Sequence, residues 1–544
     1  MSATPPPHRR LRLNPRYGNG WLWLTVVLCL PIALPAGNVL LGLLSPNAQG
    51  WSHLTTSVLP TYLVNTLTLL LSVGLLSLLL GVPTAWLVAH REFPGRRLLR
   101  WALVLPLAAP GYVVAYVYAD LFEAGDLFAG WPVGSIRSLP GAAVVLALTL
   151  YPYIYLLTLN SFEQQTASFT AVARSLGLGE WRRALRISLP LSRAAIAGGL
   201  ALVLMETAAD YGVVEFYGVP TLTNGIFRTW FAMGDAQTAT QLAGLLFLVA
   251  LTLIVLEQVS RRGRTSNPVR STIPLVRTQG GPVFQLLAPM LCFIPCVFGF
   301  IVPVAALSWY TFTVGDPLPA PRFAELVGNT ALVATLTAAV ACVAALLLAY
   351  AQRQRPGPTL NGVVRFATLG YALPGMVLAI GVLAPLTALD RQLAAVWSTL
   401  TAQPGRLLLT GTVTTLLLVY AARFLTAAFN SLSGALSGIA PDLDAASRSL
   451  GMSHRATVWR VHLPLLAPAL GSAALLVFID VVKELPATLV LRPFNFETLA
   501  TRTYRLAADE RLREASTAAL IIVSLGLLPA LLLGRERHPA SNKN

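Results

Sequence analysis

Charged residues are scarce in this chain. They make up 11% of its 544 residues, against about a quarter in soluble domains, which argues against a soluble globular protein. Lysine is nearly missing: of 39 basic residues only Lys483 and Lys543 are lysines. A phosphate-cradling P-loop needs Gly-Lys-Ser/Thr, and neither lysine follows a glycine, so we expect no nucleotide site of that kind. Histidine is limited to six residues (His8, His53, His90, His454, His462 and His538), none with a partner at metal-ligand spacing. Gly-x-Ser-x-Gly and His-Glu-x-x-His are both absent, which leaves an enzyme reading without residues to carry it. The four cysteines, Cys29, Cys292, Cys296 and Cys342, all lie in apolar runs. Cys292 and Cys296 are one helical turn apart, but no further Cys or His completes a metal site, and all four read as small core residues.

What is present is apolar: 55% of the residues are hydrophobic and mean hydropathy is +0.66, as in an integral membrane protein. A bilayer core takes about 20 apolar residues as helix. On that measure twelve spans are expected, near 21–44, 61–89, 101–120, 141–160, 194–214, 239–256, 284–311, 329–351, 366–388, 407–428, 469–491 and 516–533. The net charge of +16 is scattered in short clusters between them, which is the pattern of topology-setting loops and not of a nucleic-acid face. Arg9 to Arg16, Arg91 to Arg100, Arg174 to Arg193 and Arg261 to Arg277 alternate with arginine-poor stretches, so both termini are expected in the cytoplasm. Pro31 and Pro35 interrupt a long first apolar run, which reads as a retained span and not a cleaved signal peptide. One loop breaks the rule: Arg492 to Glu514 is arginine-rich yet counts as external. It also carries Glu497, Asp509, Glu510 and Glu514, as a folded, charge-balanced docking surface would.

The chain repeats itself. At a spacing of 264, Asn65-Thr66 matches Asn329-Thr330, Arg91 matches Arg355, and Pro110-Gly111 matches Pro374-Gly375. At a spacing of 274, Arg174-Ser175-Leu176-Gly177 matches Arg448-Ser449-Leu450-Gly451, Pro190 matches Pro464, and Arg228-Thr229 matches Arg502-Thr503. Six spans per half in the same orientation make a parallel repeat about an axis along the membrane normal. The expected units are 1–260 and 283–544, joined by an exposed linker at 261–282, with polar loops at 163–193 and 432–467.

Ionisable residues inside spans are expensive and usually functional. Glu206 and Asp210 fall one turn apart in the fifth span, and Asp480 and Glu484 occupy the equivalent places in the eleventh, beside Lys483. A spacing of four puts both members of a pair on one helix face. Two readings stand: these carboxylates pair with Lys483 or nearby arginines, or they line a cation path between the halves.

The two polar loops share one internal spacing. Gly177 is followed by Ile187, Leu189 and Pro190; Gly451 is followed by Val461, Leu463 and Pro464. Glycine ends a short helix in the left-handed region, and proline suits the first turn of the next. This twice-repeated pattern resembles the cytoplasmic coupling loop of type I ABC importer permeases. The leading Glu of that family is replaced by Ala171 and Ala445, with Asp444 one residue early in the second copy. The resemblance implies an all-α integral membrane protein with twelve transmembrane helices in two parallel six-helix repeats. It also implies two copies of a separate ABC ATPase docked at the loops, a periplasmic substrate-binding protein, and a place in the bacterial inner membrane. ATP and Mg would be used by the partner subunit, with no cofactor on this chain. The strings from Ala209 to Phe231 and from Lys483 to Tyr504 resemble the outer segments of ferric-iron importer permeases, the double-length branch of the family. Sulfate, thiamine and polyamine permeases share the framework. A twelve-helix secondary transporter is the rival outside the class.

Overall fold

The computed structural model describes residues 20–44, 48–124, 135–165, 179–261, 277–401, 403, 405 and 407–528. Apart from one two-residue pairing, its regular structure is helical. The first half contributes α1 (Gly20–Leu44), α2 (Leu59–His90), α3 (Gly111–Ala119), α4 (Leu139–Glu163) and α5 (Leu189–Ala209). It continues with two short helices, α6 (Gly212–Phe216) and α7 (Leu222–Phe231), and the long α8 (Ala236–Arg261). The second half repeats the order with α9 (Pro282–Cys296) and α10 (Val302–Thr313), then α11 (Ala320–Gln354), α12 (Gly375–Thr401) and α13 (Val413–Ser437). After α14 (Pro441–Ser449) come α15 (Leu463–Val482), the short α16 (Pro486–Leu491) and α17 (Leu499–Ala508), and α18 (Ser516–Gly526).

Among the described residues ten helices are long and apolar enough to cross a membrane, and a bent pair makes an eleventh. The bent pair replaces the straight span expected at 101–120: segments Arg96–Ala108 and Gly111–Glu123 meet at 87°. Proline is the cause. It forces the preceding residue out of the helical region, and Ala109 before Pro110 is extended, as is Leu373 before Pro374. The span expected at 366–388 is likewise broken, with α12 starting only at Gly375. The span expected at 469–491 ends at Val482, and 486–491 forms the separate α16. The twelfth apolar segment appears as α18, of 11 residues.

Each half is built on three closely packed helices, α2, α4 and α5 in the first and α11, α13 and α15 in the second. Small residues set the approach, as usual where lipid removes the hydrophobic drive between helices. A Cβ on Gly199 of α5 would lie 2.7 Å from the Ile154 Cα of α4. The repeat is written in hydrogen bonds as well as in sequence. Thr66 Oγ1 accepts from Leu222 N at 3.0 Å and Thr330 Oγ1 from Leu499 N at 2.9 Å. Asn65 donates to the Pro220 carbonyl and Asn329 to that of Glu497.

The first helices are exchanged between halves. α1 packs on α12 and on helix Pro358–Ala367 of the second half, as well as on α8. α9 and α10 pack on helix Arg96–Ala102, α2 and α3 of the first half, and α10 also on α18. Most of the linker, 262–276, lies outside the described residues. Its end is no free strap: Thr278 and Gln279 pair in parallel with Arg91 and Glu92, and Arg91 donates to the Thr278 hydroxyl at 3.2 Å.

Candidate functional site

The four intramembrane carboxylates converge. Glu206, Asp210, Asp480 and Glu484 all line one cavity of about 140 Å³ where the two halves meet, close to both Pro-Gly breaks. The expectation that each pair shares a helix face is not met. Asp210 is extended and lies beyond the end of α5, while Glu484 lies beyond the end of α15. Each carboxylate instead caps the next short helix. Asp210 Oδ1 accepts from Val213 N at 3.1 Å and Val214 N at 3.2 Å at the start of α6. Glu484 accepts from Ala487 N at 3.0 Å and Thr488 N at 3.1 Å at the start of α16. A side-chain acceptor on those first amides satisfies donors that the helix cannot, and deep in an apolar body water cannot substitute for it.

Their charge partners differ. Arg423 on α13 bonds Glu484 at 2.9 Å with both side chains buried. Lys483 reaches Asp480 at 3.2 Å. Glu206 has no cation at salt-bridge distance among the described residues, and it lines the cavity together with Tyr371. Four carboxylates thus face two cations, Arg423 and Lys483, in a wall shared by both halves. If all ionise, the cavity is net negative. Arg423 was missed by sequence reasoning that looked for matched pairs, although an arginine in an apolar run was itself the signal. The pairing of tyrosines across the halves was not legible either: Tyr211 meets Tyr504 hydroxyl to hydroxyl at 3.1 Å, and Tyr153 meets Tyr371 at 3.4 Å, each pair joining one half to the other.

The second polar loop forms the expected helix, corner and return into the body. α14 ends in a Schellman motif: Met452 N bonds the Ser447 carbonyl and Gly451 N that of Arg448, both at 3.0 Å, with Gly451 at φ +74°. That is the left-handed conformation only glycine adopts without strain. Val461 and Leu463 are half-buried, and Arg448, Ser449, Leu450 and Pro464 are exposed. In the first loop Ile187 and Leu189 are half-buried and Pro190 exposed, whereas Arg174, Ser175, Leu176 and Gly177 lie outside the described residues. Both loops return through one turn of π-helix, Ala184–Ser188 and Val458–His462, at the same 274-residue spacing (458 − 184). The proline two residues after each turn has no N–H for the preceding carbonyls, and the ladder widens there. Asp444 points inward, to Arg353 at 2.6 Å and to the buried His462 at 2.9 Å. His462 in turn meets the Tyr350 hydroxyl at 2.7 Å.

The arginine-rich segment after α16 is folded, and its arginines are partnered. Arg502 and Asp316 form a buried pair at 2.8 Å, Arg505 reaches Glu497 at 3.2 Å, and Arg513 approaches Asp120 at 3.5 Å.

Two similar helical halves, exchanged first helices and a polar cavity on their shared wall define a membrane transport body. The profile of the family described as "Binding-protein-dependent transport system inner membrane component" matches residues 78–262 and again 341–535. The chain belongs to this family, as a permease carrying its domain twice. It is therefore a multi-pass inner-membrane subunit of an ABC importer, a class that works with an ATPase and a periplasmic binding protein. It is similar over 95% of its length, at 24% identity, to the Fe(3+)-transport system permease protein FbpB 2 of Haemophilus influenzae, of which 99% is covered. It is 26% identical over 35% of its length to the sulfate transport system permease protein CysT of Escherichia coli, covering 70% of it. It is 25% identical over 37% of its length to the molybdenum transport system permease protein ModB of Haemophilus influenzae, covering 94% of it.

Proposed function

We propose that this permease moves ferric iron, delivered by a periplasmic binding protein, through the cavity between its halves. The observation that carries this reading is the charge of the wall: Glu206, Asp210, Asp480 and Glu484 against Arg423 and Lys483. A hard cation prefers oxygen donors, and the wall offers it four carboxylates from both halves with two cations against them. Held too tightly it would not leave, so a loose set of carboxylates suits transit better than a closed cage. In keeping with this, Asp210 and Glu484 are already engaged as caps and Asp480 is paired with Lys483, which leaves Glu206 as the carboxylate freest to turn toward an ion. A relative similar over 95% of the chain carries the name of an Fe(3+)-transport permease.

Two copies of an ATPase subunit dock on the two polar loops, which places both loops and both termini in the cytoplasm. The second loop offers exposed apolar side chains, Leu450 at 80% and Trp459 at 73%, next to Arg448, Arg455 and Arg460. Leu185, at the position matching Trp459, is exposed in the first. Exposed apolar side chains beside arginines fit a protein partner. ATP and Mg act on that subunit, and closure of the ATPases rotates the halves through α5 and α15, which are continuous with the loops.

The oxyanion permeases among the relatives favour a second reading, in which Arg423 and Lys483 meet an anion. Uptake into vesicles holding the permease, its ATPase and its binding protein decides between them. Radiolabelled ferric iron should accumulate with ATP, and sulfate or molybdate should not; ATP-driven oxyanion uptake without iron uptake would overturn the proposal.

A further inference from the structure

We infer that the two cross-half tyrosine pairs are the gates of the cavity, opening alternately as the halves rotate. The inference rests on the reading of the cavity as the transport path, and not on which ion passes. Three observations support it. Tyr211 and Tyr504 lie on the first and second half respectively, as do Tyr153 and Tyr371. The pairs lie at different depths. Tyr211 directly follows Asp210 beyond the end of α5 farthest from the polar loop, and Tyr504 sits on α17. Tyr371 lies on the polar-loop side of the Pro374-Gly375 break, and Tyr153 sits in the middle of α4. Tyr153, Tyr371 and Tyr211 line the cavity together with the carboxylates, and on this inference the charged chamber lies between the two phenol contacts.

Tyrosine suits such a gate. Ring centroids 5.9 Å apart leave no channel between Tyr211 and Tyr504. The hydroxyl contact is neutral, so breaking it strands no charge. Loss of one such hydrogen bond shifts a conformational equilibrium by about 2- to 12-fold, well within what ATP binding can reverse. An ion pair at the same place, such as Arg423 with Glu484 on the single second half, would resist opening far more. The two contacts are unequal: 3.1 Å at the far pair and 3.4 Å at the pair nearer the loops. Both pairs are in hydroxyl contact in this structure.

The test uses the permease with its ATPase in vesicles, with Cys29, Cys292, Cys296 and Cys342 replaced by alanine. Tyr211→Cys with Tyr504→Cys reports one gate, and Tyr153→Cys with Tyr371→Cys the other, through the yield of a short bifunctional thiol crosslinker. A non-hydrolysable ATP analogue should move the two yields in opposite directions, lowering one as the other rises. Yields that move together, or that ignore the nucleotide, overturn the inference. Should the cysteine variants fail to fold, the paired Tyr211→Phe and Tyr504→Phe exchange keeps both rings. It should raise ATP hydrolysis in the absence of binding protein by about 2- to 12-fold; an unchanged rate counts against the gates. Neither readout depends on the substrate, so a failure of iron uptake would leave this result standing.

Discussion

Glu484 and Glu206 are both carboxylates in the same cavity wall, yet their surroundings give them different tasks. Glu484 bonds two amides, the Thr488 hydroxyl and Arg423, and a Cβ on Gly375 would stand 2.2 Å from Arg423 Nη1 and 2.7 Å from Glu484 Oε1. The pair thus occupies the space that the glycine at the break leaves open. Glu484→Gln strands a buried guanidinium, which costs about 3–5 kcal/mol. It should appear as a loss of monodisperse protein and a lower melting temperature. Gly375→Ala should do the same by displacing the pair. Glu206→Gln removes a negative charge that no cation holds at salt-bridge distance and keeps an acceptor oxygen, so folded protein should be retained while iron uptake per folded transporter falls. Equal melting losses for Glu206→Gln and Glu484→Gln would erase the distinction. Rarity of charge in an apolar chain made all four carboxylates legible from sequence. Their division of labour was not, because it depends on where α5 and α15 stop. The hints were Asp210 two residues before Gly212 and Glu484 two before Pro486, each marking the start of a new helix.

At the scale of elements, the second polar loop was readable almost residue by residue, since Gly451, Leu463 and Pro464 each impose a backbone state. Gly451→Val places a β-branched residue at φ +74°, at a cost of about 1–2 kcal/mol. A Cβ there meets nothing within 4 Å, so the effect is backbone strain alone. ATPase co-purification should drop while membrane insertion is unchanged, and Gly451→Asn, which tolerates this region, should retain more. The role of Asp444 was not readable. Arg353 and His462, its partners, are 91 and 18 residues away (444 − 353 and 462 − 444), and no local pattern connects them.

A second tie between elements responds to acid. Arg137, ahead of α4, forms a bidentate contact with Glu510, after α17, at 2.7 and 2.9 Å. The Arg137 guanidinium holds the Glu510 carboxyl below its ordinary value of 4.5. A depressed carboxylate contributes stability above its unfolded value, and that contribution is lost as pH falls through the folded one. Glu510→Gln should therefore lower the melting temperature slightly at pH 7 and leave it unchanged once the parent is titrated below pH 4.5. The difference should also shrink in high salt, because the pair is exposed. A difference that persists in acid would mean that Glu510 acts through packing.

The whole molecule is two copies of one plan, and that much was legible because 264- and 274-residue spacings survive in both turns and loops. What the repeat could not show is which half each first helix joins. Apolar helices of similar length carry no address, and the partner is chosen by fit, as where Cys29 on α1 approaches the Val363 carbonyl at 3.3 Å and Cys296 on α9 that of Ala102 at 3.3 Å. The exchange makes a strong prediction. With α1 seated on α12 and α10 on α3, neither half is complete alone: each leaves a broken span uncovered and a charged wall facing lipid. A chain cut between Pro268 and Val269 should therefore yield two pieces that are recovered poorly when expressed singly. Expressed together they should co-purify through an affinity tag on either one and restore uptake. The Thr278–Gln279 pairing with Arg91–Glu92 lies beyond the cut on the second piece and would still join the two. If each piece were recovered alone as a stable, monodisperse protein, the exchanged helices could not be what holds the halves together.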